Sequence, residues 1–263
     1  MYDFQYHRPG SVADAAAALS GAAEGIYLAG GQTLIPTLKQ RLGSPSDLVD
    51  LGRIADLKGI TAGGGGVTIG AMTTHAEVAA SADVQGAIPA LAALAGDIGD
   101  PQVRNAGTLG GSLATNDPAA DYPAAALALG ATIKTNSREI AADDFFTGMF
   151  ETALNDGEII TAVSFPAPQS AAYMKFKNPA SRYAIVGVFV AKTADGVRVA
   201  VTGATHVAHR GPRLEAALNA NFSADAVDGV ELPVESMNSD IHASAEYRAH
   251  LVKVMAKRAI AAC

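Results

Sequence analysis

The sequence contains a single cysteine among 263 residues, and that cysteine, Cys263, is the last residue. No disulfide can therefore form within the chain, and no cysteine cluster can hold zinc or an iron–sulfur centre. Runs of lysine and arginine are also missing, and the formal net charge is −7. Nucleic acid is a poor candidate ligand, because its phosphates require a basic surface.

Long apolar segments are absent as well. No apolar run approaches the ~20 residues that span a bilayer, and the first residues lack the apolar region of a signal peptide. Hydrophobic residues make up 49% of the chain and charged residues 17%. This composition predicts one or two folded domains with a real core. We therefore expect a soluble, acidic, cytoplasmic protein without a membrane span.

Several catalytic motifs are missing. The chain has no G-x-G-x-x-G fingerprint, no Walker P-loop and no G-x-S-x-G elbow, and its lone cysteine is terminal. His206 and His209 have a spacing that suits a metal, but no third ligand is evident. We therefore predict neither a metal site nor a catalytic nucleophile on this chain. Electron transfer through a bound cofactor requires positioning and electrostatics instead.

The most informative stretch that is present runs from Arg104 to Pro123. It holds Gly107, Gly110 and Gly111, with hydroxyls, an amide, two carboxylates and two prolines among and after them. Dense glycines let backbone pass close to a ligand, and free N–H groups in such a turn form an anion-binding concavity. The pattern suggests a phosphate cradle followed by hydroxyl-binding groups. The alternative is an ordinary tight turn between a strand and a helix.

A second glycine bend lies earlier, at Gly30-Gly31. A strand over 25–29 precedes it, and a helix from Leu34 to Leu42, capped by Thr33, is predicted to follow. A strand, a glycine turn and a helix N-terminus together form an anion site. An ordinary βα turn is again the alternative.

Five patterns together resemble the FAD-binding (medium) subunits of the molybdenum hydroxylase family, over nearly the whole chain. This family includes the medium subunit of aerobic carbon monoxide dehydrogenase and the FAD subunit of xanthine dehydrogenase. Besides the two bends, the patterns are the opening Phe4-x-Tyr-x-Arg-Pro-x-Ser, the Phe145-Phe-x-Gly with Gly157-Glu-Ile-Ile, and the Tyr247-Arg-x-x-Leu near the end.

The resemblance implies a set of FAD contacts. For the first bend, which wraps the pyrophosphate in the family, they are Ala29, Gly30, Gly31, Gln32, Thr33 and Leu34. For the second bend they are Thr108, Gly110, Gly111 and Ser112, with polar contacts from Asn116, Asp117 and Asp121. Relatives commonly have Asn where Ser112 stands, and Thr73 and Thr74 are further candidates for the pocket lining. Ile159 or Ile160 supplies a backbone contact, and Lys177 (or Lys175) and Tyr183 approach the isoalloxazine.

Two of the polar residues have alternative explanations in the sequence. Asp117 followed by Pro118 also fits a helix N-cap with proline at the first helical position, which is a structural role. His75 is a weak candidate base, and an exposed position in the first turn of a helix capped by Thr73 or Thr74 is the more ordinary interpretation.

The implied fold is α+β. It is a two-part FAD-binding domain of the vanillyl-alcohol-oxidase/PCMH type at residues 1–166, with subdomains at about 1–58 and 59–166. A C-terminal domain of the carbon monoxide dehydrogenase flavoprotein type, at residues 167–263, holds a three-stranded antiparallel sheet and helices. The residues themselves predict a hairpin at Asp195-Gly196, a helix from Pro212 and helical spacing from Ile241 to Ile260.

The implied function is that of the FAD-carrying oxidoreductase subunit of a heterotrimer, and the implied assembly is a dimer of heterotrimers. A large molybdopterin subunit would oxidise the substrate, and a small subunit with two [2Fe–2S] clusters would relay electrons to FAD and on to an external acceptor. Two alternatives stay open: a self-sufficient FAD-dependent dehydrogenase or oxidase, and a scaffold subunit without a cofactor.

Overall fold

The first of three main sheets is formed by the N-terminal residues. The computed structural model describes residues 1–263. This sheet is parallel, with strand order β1-β3-β2. Its elements are β1 (Gln5–His7), α1 (Val12–Ser20), β2 (Gly25–Leu28), α2 (Leu34–Lys39) and β3 (Asp47–Asp50). Ser11 caps α1 as its sequence context predicts, because its hydroxyl accepts the Asp14 N–H.

The helix after the first glycine bend differs from its prediction in two ways. Thr33 occupies the N-cap position of α2 but makes no capping bond with its side chain. The helix ends at Lys39 and not at Leu42. Arg41, with φ 59°, is left-handed, and a right-handed helix cannot continue through such a residue.

The second sheet is antiparallel and has the order β4-β5-β10-β6-β7. Its strands are β4 (Ile60–Gly63), β5 (Gly66–Gly70), β6 (Thr132–Thr135), β7 (Glu139–Ala141) and β10 (Ile160–Pro166). Gly64 and Gly65 form the turn between β4 and β5 with positive φ.

Short helices lie in the segments of the chain that connect the strands of this sheet. They are α3 (His75–Ala80), α4 (Ala82–Ala87), α5 (Pro89–Gly96), α6 (Pro101–Arg104), α7 (Leu109–Thr115), α8 (Tyr122–Leu129) and α9 (Ala142–Phe145), followed by the small hairpin β8 (Phe146–Gly148) and β9 (Glu151–Thr152). Thr74, and not Thr73, caps α3 through a capping box with Glu77. The predicted helix start at Asp117-Pro118 is wrong. Asp117 Oδ1 instead accepts the Ala119 N–H within a turn, and the next helix begins at Tyr122.

The C-terminal part forms the third, antiparallel sheet, with strand order β11-β12-β13-β14. Its elements are β11 (Ser170–Lys177), β12 (Ala184–Thr193), β13 (Gly196–Thr202), β14 (His209–Arg210), α10 (Pro212–Ala220) and α11 (Ala245–Ala262). The predicted hairpin is confirmed, and β14 adds a short fourth strand. Ile241 is not part of the last helix, since it is 95% exposed and α11 is capped by Ser244. No helix of the protein has both the length and the apolar character needed to cross a membrane.

The third sheet is covered on both faces. Successive residues of a strand point to opposite faces, so Val188 and Val190 of β12 join the core that includes Met255 of α11. Phe189 and Ala191 of the same strand join the other core, which contains α8. Because α8 is buried along its whole length, the third sheet and the second sheet share one core. This packing holds the loop that precedes α8 between the two sheets.

Candidate functional site

The two glycine bends touch each other. A Cβ built on Gly30 would lie 2.2 Å from the Ala106 carbonyl oxygen and 2.7 Å from Gly107 Cα, distances that real Cβ atoms do not reach. A Cβ on Gly111 would lie 3.2 Å from the Ala29 Cβ. Two segments far apart in sequence therefore meet at one place, and glycine at position 30 is required by that contact.

The first bend leaves its backbone donors free. The amides of residues 30–34 donate no hydrogen bond within the chain, although the carbonyls of Gly31 and Thr33 accept bonds from Ile35 and Thr37. Gly31 has φ 71°, the left-handed conformation that glycine adopts without strain. All five residues line a cleft. Five consecutive free N–H groups form a strong binding surface for an anion.

The second bend uses its donors within the fold. The Leu109 and Gly110 amides bond to the Thr73 and Ala71 carbonyls at 3.1 and 2.8 Å. The Gly111 amide bonds to the Thr108 hydroxyl at 3.2 Å, and the Ser112 amide to the Thr108 carbonyl at 3.1 Å. The expected cradle of free N–H groups is therefore wrong for Gly110, Gly111 and Ser112. The bend leaves two polar groups without a partner within the chain, the Thr108 amide and the Ser112 hydroxyl.

One large cleft joins the two bends to the loop before α8. Its volume is about 800 Å³, within the range of sites for small molecules and cofactors. The predicted contact residues that line it are Ala29, Gly30, Gly31, Gln32, Thr33, Leu34, Thr108, Gly110, Gly111, Ser112, Asp117, Asp121, Ile160 and Tyr183. Ile159, the alternative to Ile160, also lines the cleft, and so does His75.

Asn116 lies outside the cleft. This residue is fully buried and ends α7 in the left-handed conformation, with φ 44°. Its Nδ2 donates to the carbonyls of Gly148 and Glu151 at 2.8 and 2.7 Å, and its own carbonyl accepts the Phe150 N–H at 3.2 Å. Asn116 therefore ties the tip of the β8–β9 hairpin to the end of the second bend's helix.

Neither of the two candidate lysines lines the cleft. Lys177, at the end of β11, forms an ion pair with Asp97. The Lys175 side chain is 1% exposed, and its Nζ lies 3.0 Å from Asp121 Oδ2 and 2.9 Å from the Asp97 carbonyl. Lys175 does not line the cleft itself, but its ammonium group binds Asp121, which does.

The C-terminal sheet shapes the loop that carries Asp117 and Asp121. The Thr202 hydroxyl lies 2.9 Å from the Pro118 carbonyl and 2.6 Å from the Ala120 carbonyl. The Gly203 amide also donates to the Pro118 carbonyl, at 2.8 Å. Cleft residues of the FAD-binding part are therefore held in place by residues from the C-terminal sheet.

The electrostatics of this loop follow from its burial. Burial raises the pKa of Asp121, and the nearby Lys175 ammonium opposes that shift. The Tyr173 hydroxyl also donates to Asp121. Burial raises the pKa of Asp117, and burial together with the two carboxylates raises the pKa of Tyr183. The Tyr183 phenol is therefore a neutral hydrogen-bonding group at neutral pH.

His75 is buried and not exposed, contrary to the ordinary interpretation of its sequence position. It is 5% exposed and packs against Tyr122 with ring centroids 5.3 Å apart. A Cβ on Gly107 would lie 2.6 Å from its Nε2, and its Nδ1 has no partner. Burial, with a smaller effect from Arg104, lowers its pKa to about 4. The imidazole is therefore neutral at neutral pH and is a weak base.

The second histidine motif gains no further ligand. His209 is half-buried, and its Nδ1 lies 3.0 Å from the Thr205 hydroxyl. No group of three or more histidine, cysteine, aspartate or glutamate side chains is arranged to hold a metal ion. The structure therefore supplies no metal centre from His206 and His209.

Several cleft residues carry no recognisable signal in the sequence. They are Ile98, Gly99, Phe150, Ser181 and Arg182. Phe150 and Arg182 both have positive φ, at 58° and 63°. The sequence does not predict this conformation, because it is unusual for phenylalanine and arginine. A side chain–backbone bond from Arg182 Nη1 to the Gly99 carbonyl, at 3.1 Å, joins two of these segments across the cleft.

The arrangement fits a dinucleotide with a diphosphate and flat rings. Free amides at 30–34 suit the diphosphate, and the exposed side chains of Ile26, Phe150 and Tyr183 along the cleft suit the ring systems. The fold and the cleft together are those expected of a flavoprotein.

Comparison with known proteins agrees with this class. Residues 2–168 match the family described as FAD binding domain in molybdopterin dehydrogenase. The chain is 38% identical to the nicotine 6-hydroxylase medium subunit of Paenarthrobacter nicotinovorans, over 97% of this chain and 95% of the relative. It is 37% identical to the carbon monoxide dehydrogenase medium chain of Afipia carboxidovorans, over 98% and 95%.

Solved structures give the same result. A chain of the reconstituted CO dehydrogenase from Oligotropha carboxidovorans superposes with a TM-score of 0.90 at 33% identity, covering 98% of this chain and 96% of that one. The chain belongs to the FAD-binding medium subunits of the molybdenum hydroxylase family. It is an oxidoreductase subunit that carries an FAD-binding domain.

Proposed function

We propose that the chain is the electron-transfer subunit of a heterotrimeric molybdenum hydroxylase, in which electrons pass from [2Fe–2S] clusters on a partner through FAD to an external acceptor. The observation that carries this proposal is the run of free amides at residues 30–34, which line the cleft beside the second glycine bend. FAD, when bound, can exchange electrons one or two at a time, which suits a relay between single-electron centres and a two-electron acceptor.

The cleft residues divide into three tasks under this proposal. The amides of residues 30–34 hold the diphosphate, with the free Thr33 and Ser112 hydroxyls donating further hydrogen bonds. Asp117 and Asp121 bind polar groups of the cofactor beyond the diphosphate. Ile160 and Tyr183 cover the isoalloxazine and exclude water from it. Ala29, Thr108, Gly110 and Gly111 shape the wall between the bends.

The chain needs partners for a complete reaction. Its sequence holds one cysteine, so iron–sulfur clusters with cysteine ligands belong on another polypeptide. Several relatives are named as medium subunits or medium chains. We propose a large molybdopterin subunit and a small iron–sulfur subunit as the partners, assembled as a dimer of heterotrimers.

We also propose a division of the chain into two domains, with the boundary after Pro166. Strand β10 ends at that residue, β11 begins at Ser170, and the two strands belong to different sheets. Residues 1–166 would form the FAD-binding domain, with subdomains at about 1–58 and 59–166 that match the first two sheets. Residues 167–263 would form the C-terminal domain.

The test is to purify the protein together with any subunits that co-purify from its native host. We expect the flavin absorption band, one FAD per copy of this chain, and iron and molybdenum that stay with the partner chains when the subunits are separated. Absence of flavin from that material, before and after incubation with FAD, would refute the function. Substrate oxidation by this chain alone would show that it is a self-sufficient flavoenzyme.

A further inference from the structure

Phe150 is in an unusual state for an aromatic residue. Its side chain is 56% exposed, it lines the cleft, and its φ is 58°. The left-handed conformation costs a residue with a bulky side chain roughly 1–2 kcal/mol, and exposure of the ring forgoes the gain of burying it. Neither cost is recovered by packing in the core. A conformation of this kind persists only where the surroundings impose it, and such residues concentrate at functional sites.

The surroundings that impose it come from Asn116. Its backbone carbonyl accepts the Phe150 N–H, and its Nδ2 binds the carbonyls of Gly148 and Glu151 on either side of the hairpin tip. Asn116 is the residue that ends α7, the helix that starts at Leu109 in the second glycine bend. A rigid connection of one short helix therefore runs from the bend to Phe150.

Phe150 and Tyr183 approach the same part of the cleft. Phe150 donates its N–H to the Asn116 carbonyl, and Tyr183 directly precedes Ala184, whose amide lies 3.4 Å from the carbonyl of Ala119 in the same loop. Tyr183 is 45% exposed and directly follows Arg182, another left-handed residue that is not glycine. Two exposed aromatic rings from different sheet systems therefore line the cleft next to the loop at 116–121, one on a left-handed residue and one directly after a left-handed residue.

We propose that Phe150 packs against the isoalloxazine ring of FAD and that Asn116 is the positioning residue that holds it there. This inference rests on the proposed function, since it requires FAD in the cleft. It also gives Asn116 a task different from the direct FAD contact that the sequence resemblance implies. An aromatic ring gains about 0.5–1.5 kcal/mol from stacking on a flat partner, which is equivalent to roughly a two- to twelvefold change in affinity.

The experiment compares FAD binding and flavin spectra of Phe150→Leu, Phe150→Asn and Phe150→Tyr with those of the wild type, each purified with its co-purifying subunits. Leucine keeps an apolar side chain, and asparagine tolerates the left-handed conformation, so neither variant needs to unfold. We expect FAD to bind about two- to twelvefold more weakly to both, with stronger flavin fluorescence, while tyrosine restores wild-type behaviour. Arg41→Asn is the matched control, because Arg41 is also left-handed and lies outside the cleft.

The possible outcomes distinguish a failure of the Phe150 proposal from a failure of the proposed function. If the wild type holds FAD and the Phe150 variants match it in affinity and fluorescence, the packing proposal is wrong while the function stands. The affinity for ADP, which lacks the isoalloxazine, is measured by competition with FAD. If the variants lower the affinity for ADP as much as the affinity for FAD and leave the flavin spectrum unchanged, Phe150 does not contact the isoalloxazine. A wild type that binds no FAD would instead overturn the function.

A double-mutant cycle tests the role of Asn116. Asn116→Gly keeps a left-handed backbone and the backbone bond to Phe150, but it removes the two side-chain bonds to Gly148 and Glu151. If those side-chain bonds fix Phe150, the variant should weaken FAD binding about as much as Phe150→Leu. If Asn116 acts through Phe150, the double variant should be no weaker than either single variant. Losses that multiply would show that Asn116 acts independently and would overturn its positioning role.

Discussion

The two glycine bends look alike in sequence and differ in what they offer a ligand. The first leaves five consecutive amides without acceptors, whereas the second commits the amides of residues 109–112 to acceptors at Ala71, Thr73 and Thr108. The glycines of the two bends also have different structural roles. Gly31 permits a left-handed turn, but Gly110 makes room for Ala71, whose Cβ would lie 2.5 Å from an added Cβ.

The difference teaches that glycine density alone does not identify a phosphate cradle. Glycines allow close approach, and the neighbour that approaches can be the protein itself. Binding capacity belongs to donors that the fold leaves unsatisfied, since a bound anion can satisfy them. The first bend therefore offers the donors that an anion would use, and the second bend packs against it.

Gly30→Val should have the largest effect, because it acts on both bends at once. Its Cβ would lie 2.2 Å from the Ala106 carbonyl oxygen, a clash with backbone that only separation of the bends relieves. We expect a loss of more than about 3 kcal/mol in the free energy of unfolding and no retained FAD. Thermal unfolding and flavin content measure both.

The control for this prediction is Gly10→Val, because a Cβ at Gly10 meets nothing within 4 Å. That variant should keep its flavin and its unfolding temperature. Wild-type flavin content in Gly30→Val would show that the two bends do not need to touch.

His75 makes the support of the second bend depend on pH. Burial lowers its folded pKa to about 4, below the ordinary 6.5, so the unfolded chain binds a proton more readily between these values. The stability that the neutral imidazole contributes is fully present above pH 6.5 and is lost as the pH falls to about 4. This loss lowers the free energy of unfolding by about 3 kcal/mol. His75→Gln should flatten the stability–pH curve in that window, as measured by urea unfolding.

The matched control is His206→Gln, because His206 is exposed. This variant should leave the dependence of stability on pH unchanged. If His75→Gln and the wild type lose stability in parallel between pH 6.5 and 4, His75 does not govern the second bend.

Gly110→Ala should affect stability without affecting affinity. The added methyl group clashes with Ala71, and overpacking of this kind costs about 1–3 kcal/mol. FAD affinity of the folded variant should stay within about threefold of the wild type, because the Gly110 amide already bonds within the fold. Unfolding curves and FAD titration measure the two quantities separately.

Gly86→Ala is the matched substitution, at a helical glycine with nothing within 4 Å. It should raise stability by about 0.5–1 kcal/mol. A large loss of affinity in Gly110→Ala, at unchanged stability, would assign the second bend a direct role in binding.

The sequence predicted the broad arrangement well. The strand after α1, the hairpin at Asp195-Gly196 and the helix from Pro212 were located. The predicted site residues line one cleft, apart from Asn116, Lys177 and the further candidates Thr73, Thr74 and Lys175. These features depend on local patterns and on a resemblance that covers the whole chain. Their individual contacts with FAD stay predictions.

The use of the amides could not be predicted, because it depends on distant partners. The acceptors at Ala71 and Thr73 lie more than thirty residues before the second bend. The same holds for Asn116, whose side chain reaches Gly148 and Glu151. Asp117-Pro118 shows the opposite failure, since a good local helix signal was overridden by contacts of Pro118 with Thr202 and Gly203.

Ser112→Ala should have the smallest effect and tests whether the second bend binds FAD directly at all. The Ser112 hydroxyl lines the cleft without a partner, and a hydrogen bond to a charged group contributes about 1.5 kcal/mol or more. We expect roughly tenfold weaker FAD binding at unchanged stability. Thr115→Ala is the matched control, because the Thr115 hydroxyl lines the same cleft but donates to the Gly111 carbonyl. Equal affinity in Ser112→Ala and wild type would show that the Ser112 hydroxyl does not bind FAD, so that the Thr108 amide would be the one free donor left in the second bend.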